Sequence, residues 1–155
     1  MIRFPCHAWR KLRDDLARAR LMARGATERI AAPVDFQQLV DSTGGPWVCW
    51  PWLGRLSREG YGVVRVHAFG SGWAAGAHRV AYYLATGYWH WGRTGRVVRH
   101  LCHDRACCNP RHLLVGSSRD NAWDSQMARH GVDLVAIRRD IETRWPALPV
   151  AGVAQ

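Results

Sequence analysis

Between Val97 and His130 the chain packs three cysteines, four histidines, two asparagines and three aspartates into one short stretch. The rest of the chain is organised around it. Val97 and Val98 are β-branched and lead straight into His100, which predicts a strand. Residues 102–111 hold no regular apolar period, and Asn109-Pro110 is a turn signal. His112-Leu113-Leu114-Val115 is a short apolar run that Gly116 ends. Ser117 stands three residues before Asp120, the pattern of a helix N-cap with an acidic partner. Ala122, Trp123, Gln126, Met127 and Ala128 continue at helical spacing, and Gly131 is placed to cap the far end. Residues 97–131 therefore read as strand, loop, strand, helix.

Charge narrows the partner. The chain has 155 residues and a net charge of +10, and of its 22 basic residues all but Lys11 are arginine. Such a balance favours a polyanion, most simply nucleic acid. A bias toward arginine codons would explain arginine over lysine but not the net excess. No apolar run approaches the roughly 20 residues needed to span a bilayer, and no secretory h-region opens the chain. The expectation is a cytoplasmic protein with no membrane partner. In that compartment five cysteines near histidines read as metal ligands rather than disulfides.

Three separate pieces then carry a resemblance: Cys49-Trp50-Pro51-Trp52-Leu53-Gly54, Ala77-His78-Arg79-Val80-Ala81-Tyr82, and the run from His100 through Asn121. In this order they resemble the HNH nucleases, specifically the phage and mobile-element branch with cysteines around the motif. The resemblance covers roughly residues 35–131. It implies an α+β fold with a ββα-metal (His-Me finger) core at 97–131, preceded by a β-hairpin and a helix. Residues 1–34 are then a basic helical extension, 35–131 the nuclease domain and 132–155 a C-terminal helix and tail. The implied activity is metal-dependent cleavage of double-stranded DNA, by nicks or double-strand breaks. The implied source is a phage or mobile element, with a homing-type or packaging role. A homodimer or packaging and terminase proteins are the further partners it leaves open.

The chemistry needs a base to activate water and a divalent cation to neutralise the phosphate and the leaving 3′ oxygen. His100 is the candidate base, because an imidazole titrates near working pH. Asn109 either shapes the loop or orients the base. His112 could be the last member of an H-N-H set and so ligate the catalytic cation. A second register is better. Family members without the cysteines resemble H-x11-N-L-x7-N, with the last Asn on the cation, and counting from His100 puts Asn121 there. Mg²⁺ or Mn²⁺ is the expected catalytic ion. His112 is then free for the loop, where Cys102-x4-Cys107-x4-His112 has good zinc spacing and Cys49 completes a Cys₃His set. Cys108, His103 and His78 are rivals for the fourth place, and buried reduced cysteines are the plain alternative. A loop of this length has little core of its own, so a structural zinc would hold it.

One departure stands out. Many HNH nucleases resemble one another in an Asp before the base, and here the residue is Arg99. An arginine cannot ligate a cation but could bind the scissile phosphate. Asp120 and Asp124 are then the candidate carboxylates. The departure motivates a second reading, a zinc-stabilised DNA-binding protein that has lost cleavage. The extensions at both ends motivate a third, a structural or interaction protein in a larger assembly.

Elsewhere the pattern is coarser. Trp9, Leu12, Leu16, Ala19 and Met22 lie near helical spacing with arginines between, which gives an arm or a docked helix, either a DNA-backbone contact or a solvated surface helix. Asp35–Val40 reads as a short helix. The apolar run 47–52 and Val63–His67 read as a hairpin around the turn 57–62, with Val64, Val66 and Ala68 on one face. Residues 76–87 read as a helix that presents Val80, Tyr83 and Leu84, with His78 at its start either a packing or hydrogen-bonding residue or one within reach of a metal. DNA contacts are expected from Arg55, Arg58, Arg65, Arg79, Arg93, Arg96 and Arg99, while the tryptophans are read as core. In the last segment Leu134, Ile137 and Ile141 recur at helical spacing, against the domain or a second subunit.

Overall fold

The structure, a computed structural model, describes residues 5–24, 35–68, 71–89 and 95–144. It is α+β, as expected. The elements are α1 (Cys6–Arg24), β1 (Val63–Ala68), β2 (Ser71–Gly76), α2 (Ala77–Thr86), β3 (Arg96–His100), β4 (Leu113–Ser117), α3 (Ser118–Arg129) and α4 (Leu134–Arg144). Two short 3₁₀ turns, Phe36–Leu39 and Pro110–His112, join them. No described helix is long and apolar enough to cross a membrane.

Strand β3 pairs antiparallel with β4, with Val98 opposite Val115 and His100 opposite Leu113. Helix α3 follows without a break and packs on both strands. Its start is a full capping box. The Ser117 hydroxyl accepts the Asp120 N–H, and the Asp120 carboxylate accepts the Ser117 N–H. Two donors that helix geometry leaves orphaned are thus satisfied locally. Gly131, with φ +72°, takes the left-handed turn just past the helix.

The hairpin differs from expectation. β1 pairs with β2, Val66 opposite Trp73, and not with residues 47–52. The reason is hydrogen bonding. Pro51 has no N–H to give a ladder. Its neighbours spend theirs elsewhere: Trp52 donates to the Ala106 carbonyl, and the Trp50 carbonyl accepts the Cys108 N–H. The run 47–52 is therefore stitched to the cysteine loop and brings Cys49 with it. Val64 and Val66 do share the buried face of β1, while Arg65 and His67 point outward.

The buried face of α2 carries Val80 as expected, but Ala81, Tyr82 and Ala85 join it, while Leu84 is 41% exposed. Helix α4 buries Leu134, Ile137 and Ile141 against the same chain, alongside α1. Of the arm and the docked helix expected for the N-terminus, α1 is the docked one. Ala8, Leu12, Leu16 and Ala19 are buried in the same core as β4 and α4. The Met22 side chain lies outside what the structure describes.

The same helix delivers a charge inward. Asp15 is 4% exposed and pairs with Arg99 Nη2 at 2.6 Å, while Arg99 Nη1 pairs with the fully buried Asp124 of α3. Lys11 bridges Asp15 and Asp120, each at 2.8 Å. Arg99 is 1% exposed, so the expectation that it reaches DNA is corrected. A guanidinium with two carboxylates in the core is spent on joining α1, β3 and α3. Removing one partner of such a buried pair leaves an uncompensated charge, which costs roughly 3–5 kcal/mol. Arg99→Met should accordingly lower unfolding free energy by about that much in urea titration. An Arg99→Met protein as stable as the parent, but weaker on DNA, would return Arg99 to the phosphate.

Candidate functional site

Cys49 comes from the segment stitched to the loop, Cys102 and Cys107 from the loop between β3 and β4, and His112 from the 3₁₀ turn before β4. Their ligand atoms all lie within 4.8 Å of one another. His112 Nδ1 stands 3.5 Å from Cys49 Sγ and 3.6 Å from Cys107 Sγ. A tetrahedral zinc with Zn–S near 2.3 Å and Zn–N near 2.0–2.1 Å requires S···N edges of about 3.6 Å. The four donors are close enough to hold one metal ion such as zinc.

The three thiols differ in how readily they ionise. A hydrogen bond from the Cys102 thiol, above all, holds Cys107 down to about 4 against its burial, with help from His112 and the Asn109 N–H. Cys102 is raised in turn by that shared proton and by burial. Burial and the Cys107 charge push Cys49 up to about 11. One thiolate forms easily, and the shared hydrogen bond, burial and, behind these, the Cys107 charge oppose the next two. Among the expected rivals, Cys108 is buried with its Sγ toward the Ala106 carbonyl, and His103 is exposed at φ +60°. His78 lies in a different cleft.

That cleft, about 470 Å³, is lined by Tyr61, Gly76, His78, Arg79, His100 and Asn121 among others. Strand β3 ends at His100 and α3 starts just before Asn121, so the ββα arrangement itself brings the two together. His100 is 7% exposed, and its Nε2 sits 3.2 Å from the Cys107 carbonyl. A carbonyl only accepts, so Nε2 carries the hydrogen and Nδ1 keeps its lone pair. Burial chiefly holds the His100 pKa below its ordinary value, which keeps the ring neutral at pH 7.

Of the two roles expected for Asn109, its hydrogen bonds are those of the loop-shaping one. Its amide donates to the Pro46 and Val48 carbonyls at 3.1 and 2.7 Å, and its oxygen accepts the Arg111 N–H at 2.9 Å. The group that orients His100 is instead the Cys107 carbonyl, a backbone atom that residue identity does not reveal. Neither carboxylate proposed for the cation lines the cleft. Asp124 is paired to Arg99, and burial pushes its carboxyl up to about 6. Asp120 caps α3 and holds Lys11. No acidic residue is among the described residues lining the cleft.

His78 was read as a packing residue or a zinc rival. The structure sets its ring 4.7 Å from that of His100, between centroids. It is 6% exposed, and Nδ1 is buried with no hydrogen-bond partner. Burial, then the neighbouring His100 and Arg79, lower its pKa to about 3. Its place in the Ala77-His78-Arg79 piece was the one signal in the sequence. Of the arginines expected on DNA, Arg55, Arg58, Arg65 and Arg79 are exposed and Arg96 half-buried. Arg93 lies outside the described residues. The tryptophans divide, with Trp52 in the core and Trp47 half-buried under the Arg111 guanidinium.

A family model described as HNH endonuclease matches residues 75–123. Protein 2.8 of Escherichia phage T7 is 33% identical to the chain over 117 residues, covering 69% of the chain and 76% of that protein. Protein 7.7 of the same phage is 34% identical over 76 residues, covering 49% of the chain and 53% of that protein. No solved structure matches.

Proposed function

The chain belongs to the HNH endonuclease family, in its phage-type branch, and from that premise we propose that it is a cation-dependent endonuclease hydrolysing phosphodiester bonds of double-stranded DNA. The observation that carries this reading is His100, oriented through Nε2 by a carbonyl and lining the same cleft as Asn121. Residues 97–131 are on this reading a ββα-metal core. His100 Nδ1 takes a proton from water, whose oxygen attacks phosphorus as the bond to the 3′ oxygen breaks. That oxygen leaves with a proton from solvent, so the products are a 5′ phosphate and a 3′ hydroxyl.

A divalent cation fits the donors present. The cleft offers the Asn121 carboxamide beside imidazoles, with a buried imidazole nitrogen left unpartnered. Asn121 would hold the ion, which when bound neutralises charge on the phosphate and on the leaving oxygen. The Cys49, Cys102, Cys107 and His112 set fits a structural zinc by its donor chemistry and edge lengths. Nicking of supercoiled plasmid with Mg²⁺ or Mn²⁺, abolished by EDTA, is the expected result. The cleft's lack of a carboxylate favours one other reading, a zinc-stabilised DNA-binding protein without cleavage. Gel retardation with intact plasmid under every cation tried would select it.

Binding itself should weaken steeply with salt. The chain carries +10, and Arg55, Arg58, Arg65 and Arg79 are exposed. Each phosphate neutralised contributes about −0.9 to the slope of log K against log salt. Arg79→Ala should lower affinity for all sequences alike and reduce that slope by about one. An affinity flat between low and moderate salt would contradict the assignment.

A further inference from the structure

We propose that His78 is a ligand of the catalytic cation, its imidazole standing with Asn121 in place of the absent carboxylate, so that the cleft prefers Mn²⁺, Co²⁺ or Ni²⁺ to Mg²⁺. The proposal rests on the nuclease reading for the cation's role, but not for its site. A buried nitrogen without a partner costs about 1–3 kcal/mol unless something satisfies it. His78 Nδ1 is such a nitrogen, in a residue 6% exposed that lines the cleft.

The ring is also held in place. Tyr61 lies 5.5 Å away on centroids, and His100 lies 4.7 Å away. Gly76 has φ −68° and ψ 129°, which any residue adopts. A Cβ there would nonetheless stand 2.7 Å from His78 Cε1 and 3.0 Å from Nδ1. Glycine is therefore required by the approach of the ring and not by the backbone. Among the described residues no acidic group lines the cleft, and Asp120 and Asp124 are engaged with Lys11 and Arg99.

Imidazole nitrogen suits borderline transition ions, whereas Mg²⁺ is held by carboxylates and water. A cleft with one carboxamide and an imidazole is thus poor for Mg²⁺. The remaining positions of the ion fall to water and to phosphate oxygens.

The test uses the intact zinc-loaded protein without DNA, titrated with Mn²⁺, Ni²⁺ and Mg²⁺ by calorimetry. Mn²⁺ does not displace zinc from thiolates, so the structural site stays out of the titration. The parent should bind Ni²⁺ and Mn²⁺ more tightly than Mg²⁺. His78→Ala should weaken Mn²⁺ by at least about 10-fold, the lower end of what supporting groups cost metal sites. His78→Asp should restore binding and move the preference toward Mg²⁺. Gly76→Ala, which displaces the ring, should weaken Mn²⁺ while leaving zinc content at parent level. If His78→Ala does not fold, Gly76→Ala and Mn²⁺ broadening of the parent's His78 imidazole signals decide. Parent-like Mn²⁺ affinity in folded His78→Ala or in Gly76→Ala, or unbroadened His78 signals, would overturn the proposal. A parent that loads Mn²⁺ through His78 but never nicks DNA would sink the nuclease reading alone. A parent that nicks DNA with metal binding indifferent to His78 would sink this proposal alone.

Discussion

Stripping zinc from the folded protein, or replacing Cys102 or Cys107 with Ser, should unfold the domain outright. The loop from Leu101 to His112 buries Leu101, Cys107, Cys108 and Pro110, yet few backbone hydrogen bonds hold it: Leu101 to His112, Cys108 to Trp50 and Trp52 to Ala106 among them. A bound zinc would join two separate pieces of chain, the 101–112 loop and the segment that carries Cys49, at one point. Structural zinc in small domains contributes on the order of 10 kcal/mol. Whole domains are stable by only about 5–15 kcal/mol. Losing the ion therefore removes most of the margin. Cys49→Ser and His112→Ala should behave alike, because their donor atoms share the tetrahedron. Cys108→Ser is the control. Its sulfur is turned to the Ala106 carbonyl, so zinc should stay at one per chain. Elemental analysis and thermal melting decide. Folded protein without zinc, or parent-like melting in Cys102→Ser and Cys107→Ser, ends the assignment.

His100→Ala should lower cleavage by roughly 10²–10⁴-fold, the usual contribution of a positioned base, while fold and DNA affinity persist. Its ring meets the rest of the protein through one carbonyl contact and the cleft neighbours, so truncation leaves the zinc tetrahedron untouched. Asn121 is exposed, and Asn121→Ala should also abolish cleavage without loss of stability, with partial rescue by raised Mn²⁺. His112→Ala should lose zinc and stability together. The three variants separate the two registers of the motif. A His112→Ala protein that is folded, zinc-loaded and dead would make His112 the cation ligand after all. Parent-like cleavage by His100→Ala would remove the base assignment.

Features set by near neighbours were legible in the residues. The capping box at Ser117 and Asp120 and the left-handed glycines at 87 and 131 depend on atoms a few residues apart, and the β3–β4 pairing on one loop between consecutive strands. The zinc spacing is legible for the same reason, since one short loop supplies three of the four donors. The fourth, Cys49, was marked by a motif and not by geometry.

What the tertiary structure alone decided is which groups lose water, and beside whom. Arg99 reads as a DNA contact because arginine is cationic. It becomes a brace because Asp15, 84 residues away in sequence, and Asp124 meet it in a dry core. His78 reads as a packing residue until folding sets it beside His100. The hairpin partner of β1 turned on competition for backbone hydrogen bonds, in which the Trp52 N–H and the Trp50 carbonyl were already taken by the cysteine loop. Spacing along a chain encodes local hydrogen bonds and coordination bites. The meaning of a charge, or of a lone pair, depends on its desolvation and its distant neighbours, and those exist only once the chain has folded.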